Sequence, residues 1–171
     1  AYILNMGDQT NSFSETLTVK GSCTGVRGED GDEQQDFSMQ TVIRNSVNDN
    51  GRTQQLMSVS TNAKKVTIEG FTFINTNDTG NGITASTSSG GSLTLKNCAF
   101  RQNGSAGMNV SGNEGEMLIY NTLFADGGTG FAVDNDISTD NITLMNTTFA
   151  NNETADMSAG LSKVYNSASW E

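Results

Sequence analysis

The sequence predicts an all-β protein built as one β-solenoid, in which short strands stack turn upon turn. Three observations carry this prediction: a strand-like segment recurs every 24–27 residues, a second one recurs between its copies, and no stretch shows helical spacing of apolar residues. A length of 171 residues fits one domain. We divide it into an N-terminal strand or cap at 1–14, about six coils at 15–163, and a C-terminal cap or the start of a further coil at 164–171.

The main repeat is a segment that ends in phenylalanine. Its copies read VTIEGFTF at 66–73, LTLKNCAF at 93–100, MLIYNTLF at 117–124 and ITLMNTTF at 142–149. Residues 41–43 and 17–19 continue this series towards the N-terminus. The second repeat comprises 56–59, 82–85, 107–110, 130–133 and 160–161. We therefore expect two strands in each period, joined by turns rich in Gly, Ser, Asn and Asp.

Alternation along the strands assigns the inside and the outside of the solenoid. The inward columns are predicted to be aliphatic, with a further column formed by Phe73, Phe100, Phe124 and Phe149. One outward column contains Thr18, Val42, Thr67, Thr94, Leu118 and Thr143, and the other contains Lys20, Arg44, Glu69, Lys96, Tyr120 and Met145. Asn97, Asn121 and Asn146 recur at one register, where we expect a ladder of buried amides that joins coil to coil.

Composition and charge exclude several classes of function. The chain has 19 acidic and 9 basic residues, a formal charge of −10, whereas proteins that bind nucleic acid or anionic lipid need a basic face. No run of 18 apolar residues predicts a membrane span. Because the chain has no histidine, Ser-His-Asp and Cys-His catalysis and histidine metal sites are excluded.

The repeats resemble those of the right-handed parallel β-helix superfamily, the pectate-lyase-like solenoids. FRQN at 100–103 and FANN at 149–152 look like the Phe-x-x-Asn repeats of chlamydial polymorphic outer-membrane proteins and similar bacterial surface β-helices. The segments 73–76 and 124–127 depart from that pattern. The resemblance implies a right-handed parallel β-helix that is secreted or displayed on a bacterial surface, although no signal peptide begins this chain.

The superfamily includes polysaccharide lyases and hydrolases, adhesins and spacer modules. Hydrolysis needs two carboxyl groups at a defined separation, and neither outward column supplies such a pair on neighbouring coils. We therefore expect a non-catalytic, structural or adhesive module that binds a glycan or a surface protein. A carbohydrate-active enzyme is the alternative, and a spacer from an autotransporter passenger is the third hypothesis.

The candidate binding residues are outward-facing. Tyr120, Leu118 and Met145, with Leu123 nearby, form either an apolar binding surface or a patch covered by residues 164–170. Lys96, Glu69 and Arg44 form either a surface charge ladder or a lyase base with its substrate clamp.

Two acidic groups are candidates for a cation site. Five acids fall within eight residues from Glu29, and Asp30, Asp32 and Asp36 are the candidate Ca²⁺ ligands. The alternative is a solvated acidic loop. Asp134, Asp136 and Asp140 form a sparser group for which we expect solvation.

The two cysteines and the C-terminal segment complete the predictions. Three predicted coil steps separate Cys23 from Cys98, too far for a disulfide, so both are expected to be free thiols. A further main strand is expected near residue 171, with Val164, Tyr165 and Trp170 folded over the last coil or packed against a second copy. End-to-end self-association follows from the second of these arrangements.

Overall fold

A computed structural model describes residues 17–20, 41–45, 54–61 and 65–170, which contain seventeen β-strands in three sheets and no helix. The first sheet contains β1 (Leu17–Lys20), β4 (Lys65–Glu69), β7 (Ser92–Lys96), β10 (Glu116–Tyr120), β13 (Ile142–Met145) and β16 (Val164–Tyr165). The second contains β2 (Thr41–Arg44), β5 (Phe71–Ile74), β8 (Ala99–Arg101), β11 (Leu123–Ala125), β14 (Thr148–Ala150) and β17 (Ala168–Trp170). The third contains β3 (Gln55–Ser60), β6 (Asn81–Thr87), β9 (Ala106–Asn113), β12 (Thr129–Val133) and β15 (Ala155–Met157).

Each turn of the solenoid gives one strand to each sheet, and every pairing is parallel. Four complete turns, β4 to β15, lie within the continuously described stretch, with β1–β3 before them and β16–β17 after them. The predicted β-solenoid is confirmed. A turn has three strands rather than two because the phenylalanine at the end of the main repeat belongs to a strand of its own, beyond a bend at residues such as Asn97.

The core is a narrow column of like residues stacked on like. Val66, Leu93, Met117 and Ile142 stack in register, and all four are buried. Phe73, Phe100, Phe124 and Phe149 form a continuous ring stack in which neighbouring centroids lie 4.8–5.2 Å apart. The predicted inward columns are therefore confirmed for the four complete turns, and each coil covers the apolar face of the next.

A residue with positive φ makes the bend between the first and second sheets. Asn97, Asn121, Asn146 and Asn166 have φ between 47° and 54°, and Gly70 has 81°. Asn and Gly adopt this left-handed conformation most readily. At the bends of the four complete turns, the backbone N–H groups of Gly70, Asn97, Asn121 and Asn146 still donate to the next coil, as from Asn97 to the carbonyl of Tyr120 at 3.1 Å.

The predicted ladder at this bend is partly wrong. Asn121 Nδ2 donates to Asn97 Oδ1 at 2.7 Å, but Asn121 and Asn146 are exposed and Asn97 is half-buried. These asparagines are selected by backbone conformation at a solvent-facing corner rather than by burial of their amides.

Residues 41–43 do not form a main-repeat coil, which corrects the predicted register. Leu17 pairs directly with Val66, whereas Thr41 pairs with Phe71 and Ile43 with Phe73 in the second sheet. The spacing of 24–25 residues suggested an extra coil between β1 and β4. The direct pairing shows instead that β1 and β4 are one turn apart.

The C-terminal residues also differ from the prediction. The third strand of the last complete turn is β15, in which Met157 pairs with Phe131, so residues 160–161 do not belong to the second repeat. The next first-sheet strand is β16 at Val164, not a strand near residue 171. Val164–Tyr165 and Ala168–Trp170 extend two sheets by parallel pairing and do not fold over the last coil.

Candidate functional site

The outward face of the first sheet contains most of the predicted binding residues. Glu69, Lys96, Tyr120 and Met145 occupy one column, because successive strands pair in that register. Tyr165 continues the column on β16. Leu118 lies beside Tyr120 on β10, two residues earlier and on the same face.

These residues form what we call the sheet strip: Lys96, Leu118, Tyr120, Met145 and Tyr165. Leu118, Tyr120 and Met145 are half-buried, and Tyr165 is 51% exposed. Because β16 pairs alongside β13, the C-terminal segment lengthens the strip at its edge. The predicted alternative, in which that segment covers the patch, is wrong.

One end of the strip contains a polar network. Lys96 Nζ lies 3.1 Å from Glu69 Oε1, and Asn97 Nδ2 donates to the same oxygen at 3.2 Å. Asn121 extends the network through its bond to Asn97. The charge ladder therefore exists between Glu69 and Lys96 as a surface ion pair.

Arg44 does not belong to this ladder, which corrects its predicted position. It pairs with Ile74 at the end of β2 in the second sheet, and it is exposed. Leu123 likewise lies on the second sheet, where it pairs with Ala99 and Thr148. Both residues therefore lie on the second sheet and not in the first-sheet column of Glu69.

On the described strands of this face, no pair of carboxyl groups is placed for glycoside hydrolysis. The described strands of this face contain two acids, Glu69 on β4 and Glu116 on β10. These strands are separated by one other strand, β7, and the two acids are offset by four residues along the strand direction. Strand geometry gives roughly 16 Å between their Cα atoms. Glycosidases need about 5–10 Å between carboxyl groups, so these two do not form a catalytic pair.

The candidate Ca²⁺ ligands Asp30, Asp32 and Asp36 lie outside the described residues. Within residues 17–20, 41–45, 54–61 and 65–170, no three His, Cys, Asp or Glu side chains cluster as a metal site would require. Asp134, Asp136 and Asp140 are exposed and do not converge.

A polar groove runs along the corner where third-sheet strands lead into the first sheet. We call it the corner groove, and its volume is about 510 Å³. It is lined by Ser60, Ser86, Thr87, Ser88, Gly112, Asn113, Glu114, Asp136, Ile137 and Ser138. The sequence signal for it is the cluster of small polar residues that follows the third strand of these turns.

A buried amide pair lies at another corner, after the phenylalanine strands. Asn103 Oδ1 accepts from the Asn75 N–H at 3.0 Å, and Asn103 Nδ2 donates to the Phe73 carbonyl at 3.2 Å. Both asparagines are almost fully buried. Asn152 repeats the second bond, to the carbonyl of Phe124. This is the physical reason for the Phe-x-x-Asn spacing.

Among the described residues, two titratable groups have shifted pKa values, and neither belongs to the sheet strip or the corner groove. Burial raises the pKa of the Cys98 thiol, which donates to the Lys96 carbonyl. A hydrogen bond from Arg101, and a second from Asn151, lower the pKa of the Asp126 carboxyl. Cys98 is free and buried, as predicted, and Cys23 lies outside the described residues.

The repeat geometry agrees with a comparison against known families. The family described as "Right handed beta helix region" matches residues 34–169, which is most of the chain. The chain belongs to the right-handed β-helix family. Searches of curated proteins and of solved structures gave no significant match. Within the described part of this β-helix domain, no helix has the length and apolar character needed to cross a membrane.

Proposed function

We propose that this β-helix domain is a non-catalytic structural or adhesive module, secreted or displayed on a bacterial surface, and that its sheet strip binds a glycan or a protein. The observation that carries the proposal is the outward column of Tyr120, Met145 and Tyr165. These apolar and aromatic side chains follow one another on three paired strands. A contiguous apolar surface with aromatic members is typical of binding sites.

The rigidity of the strip supports the same function. β10 and β13 are each paired on both sides, so Tyr120 and Met145 are held on a fixed backbone. Less conformational entropy is lost when a ligand meets a pre-organised surface than when it orders a loop. The Lys96–Glu69 pair at one end adds a polar boundary that positions a ligand along the strip.

The experiment is a panel of polysaccharides and surface proteins, assayed with and without Ca²⁺ for both binding and product release. Tyr120→Ala and Met145→Ala are expected to weaken binding without unfolding the protein. Thr148→Ala, an outward change on the second sheet, is the matched control. Equal binding by all variants would exclude the strip as the site, and no binding at all would favour the spacer hypothesis.

A carbohydrate-active enzyme is the second candidate, and one observation favours it. Glu114 and Asp136 both line the corner groove, so two carboxyl groups face one ligand-sized space. The test is release of reducing ends or unsaturated products from polysaccharides by the wild type, by Glu114→Gln and by Asp136→Asn. Product formation that either substitution abolishes would replace the non-catalytic proposal.

A further inference from the structure

We infer that the sheet strip is a self-complementary surface on which a second copy of the chain docks. The two copies are related by a two-fold axis that runs parallel to the strands, between β10 and β13. This inference rests on the proposed function, because it names the partner of the same surface. The order of side chains along the strip, the charge of the face and its area all favour a second copy as that partner.

The order of side chains along the strip makes it complementary to itself. Lys96, Tyr120, Met145 and Tyr165 occupy one register on β7, β10, β13 and β16, which are four successive strands of the first sheet. A two-fold axis parallel to the strands reverses the strand order of the second copy and keeps the position along each strand. With the axis between β10 and β13, β10 faces β13 of the second copy and β7 faces its β16.

The contacts that this symmetry creates are favourable, and each one forms twice. Tyr120 faces Met145 of the second copy, and a methionine sulfur makes favourable contacts with an aromatic ring. Lys96 faces Tyr165 of the second copy, and an ammonium group is attracted to the face of a tyrosine ring. The Lys96 side chain is 42% exposed and Tyr165 is 51% exposed, so both are accessible to a second copy.

The same arrangement keeps the carboxylates of the face apart. Glu69 is on β4, which lies outside the overlap of the four facing strands. Glu116 comes directly before Met117, which pairs with Ile142, so Glu116 faces Asn141 of the second copy. Docking therefore brings no two carboxylates of this face opposite each other.

The distribution of charge favours this face for self-association. Within residues 65–170, the strands of the first sheet contain two bases and two acids: Lys65, Lys96, Glu69 and Glu116. The rest of that stretch contains two bases and eight acids: Arg101 and Lys163, with Asp78, Glu114, Asp126, Asp134, Asp136, Asp140, Glu153 and Asp156. Two copies of a chain with a formal charge of −10 repel each other. The repulsion is smaller where the first sheets face each other, because this face is balanced and the rest carries the excess.

The area of contact predicts a weak dimer. Four strands with at most five residues each cover roughly 19 by 16 Å, or about 300 Å² on each copy. Leu118 and Thr143 add a second pair of facing residues beside Tyr120 and Met145. Stable complexes bury about 1,200–2,000 Å² in total, and smaller interfaces are typical of transient encounters. We therefore expect a reversible dimer that forms at protein concentrations of about 0.1–1 mM.

Charge reversal at Tyr165 tests this geometry. Tyr165→Lys places an ammonium group against Lys96 of the second copy, so dimerisation should weaken at least about tenfold. Tyr165→Glu places a carboxylate there, so dimerisation should be at least as strong as in the wild type. The total charge predicts the opposite order, because the lysine variant is less negative than the wild type and the glutamate variant is more negative.

The measurement is sedimentation equilibrium at about 0.02–1 mM protein in about 0.15 M NaCl, where charges more than about 8 Å apart are largely screened. Trp170→Lys and Trp170→Glu are the matched controls, because Trp170 is an exposed aromatic residue on β17, which belongs to the second sheet. Both controls should dimerise as the wild type does. Thermal unfolding of the four variants checks that each is folded. Tyr120→Ala, on the doubly paired β10, should also weaken dimerisation.

Three outcomes would overturn the inference. The first is a wild type that stays monomeric up to about 1 mM. The second is a dimer that Tyr165→Lys leaves unchanged, or that both Tyr165 substitutions weaken equally. The third is association that continues beyond the dimer, because a two-fold interface closes on itself and end-to-end assembly does not.

The panel of polysaccharides and surface proteins separates this inference from the proposed function. If the wild type is monomeric and binds a member of the panel through Tyr120, the proposed function is supported and the second copy is excluded as the partner. If the chain dimerises with the expected response at Tyr165 and binds no member of the panel, the inference is supported and a foreign ligand of the strip is excluded.

Discussion

Phe100 and Phe124 stack ring on ring, with centroids 4.8 Å apart and planes 10° from parallel. The centroid separation equals the spacing between paired strands, about 4.8 Å, so the stack and the backbone ladder have the same period. Phe131 meets Phe124 edge-on from the third sheet, at 6.3 Å and 72°. The phenylalanine column therefore joins two sheets in the middle of the solenoid.

Phe124→Ala is expected to destabilise the protein by about 3–5 kcal/mol, because it leaves a cavity between two stacked rings where the structure cannot collapse. Phe124 is completely buried and contacts Phe100, Phe131 and Phe149. Thr94→Ala, on the outward face of β7, is the control and should cost less than about 0.5 kcal/mol. Urea unfolding of both variants measures the difference. Similar costs for the two would contradict the assignment of inside and outside.

Gly107→Ala is expected to cost about 1–3 kcal/mol by overpacking. A Cβ at Gly107 would lie 2.7 Å from the Gly130 carbonyl and 2.7 Å from a ring carbon of Phe124. Gly112→Ala lies on the same strand, β9, and has 3.4 Å of clearance, so it should not destabilise the protein. Thermal unfolding of these two variants tests whether Gly107 makes room for the phenylalanine stack.

Asn103→Ala is expected to cost about 1–3 kcal/mol, since it removes the hydrogen bonds that the Asn103 amide makes to two buried backbone groups. Those two groups are the N–H of Asn75 and the carbonyl of Phe73. Asn121→Ala also removes a hydrogen-bonded amide, but this amide is exposed. The loss of the amide alone should therefore lower the free energy of unfolding much less. Because Asn121 has a positive φ, Asn121→Gly is measured beside it to separate backbone strain from the lost amide.

Cys98→Thr is expected to keep most of the stability, within about 1.5 kcal/mol. Thr122 and Thr147 occupy the position after the bend in later turns, and each hydroxyl donates to the carbonyl two residues earlier, as the Cys98 thiol does. In a Cys23→Ser background, the Cys98 thiol should react with Ellman's reagent only after denaturation, because burial and a raised pKa suppress the thiolate. Rapid reaction of the folded protein would contradict its burial.

Like residues that recur at one register made the fold predictable. Val66, Leu93, Met117 and Ile142 are aligned by sequence alone, and the structure stacks them as predicted. The number of sheets was not predictable from alternation, because one left-handed residue at Asn97 bends the chain without interrupting the apolar pattern.

The site was less predictable because it depends on which turn a residue occupies. Arg44 lies 25 residues before Glu69, one apparent period, and yet belongs to another sheet. Spacing cannot distinguish a coil from an excursion of similar length, whereas strand pairing does. The corner groove escaped prediction for a related reason: Ser60, Thr87, Asn113 and Ser138 come together only through the stacking of four turns.

The ion pair between Arg101 and Asp126 predicts how stability depends on pH. The two groups lie 3.0 Å apart on neighbouring turns, and the hydrogen bond from Arg101 holds the pKa of Asp126 below its ordinary value of 3.8. A carboxyl whose pKa is lower in the folded state stabilises the fold above its unfolded pKa, and this contribution disappears as the pH falls through the folded pKa. Because both side chains are partly exposed, the contribution should be about 0.2–1 kcal/mol.

Asp126→Asn measures this contribution, since asparagine tolerates the positive φ of 56° at that position. The wild type should exceed the variant in free energy of unfolding at pH 7, and the difference should shrink as the pH is lowered below the ordinary carboxyl pKa. Arg101→Gln and the double variant complete a double-mutant cycle, which isolates the pair from the bond that Asn151 donates to Asp126. A coupling energy that is zero at pH 7, or that grows as the solution is acidified, would show that Arg101 does not stabilise the ionised form of Asp126.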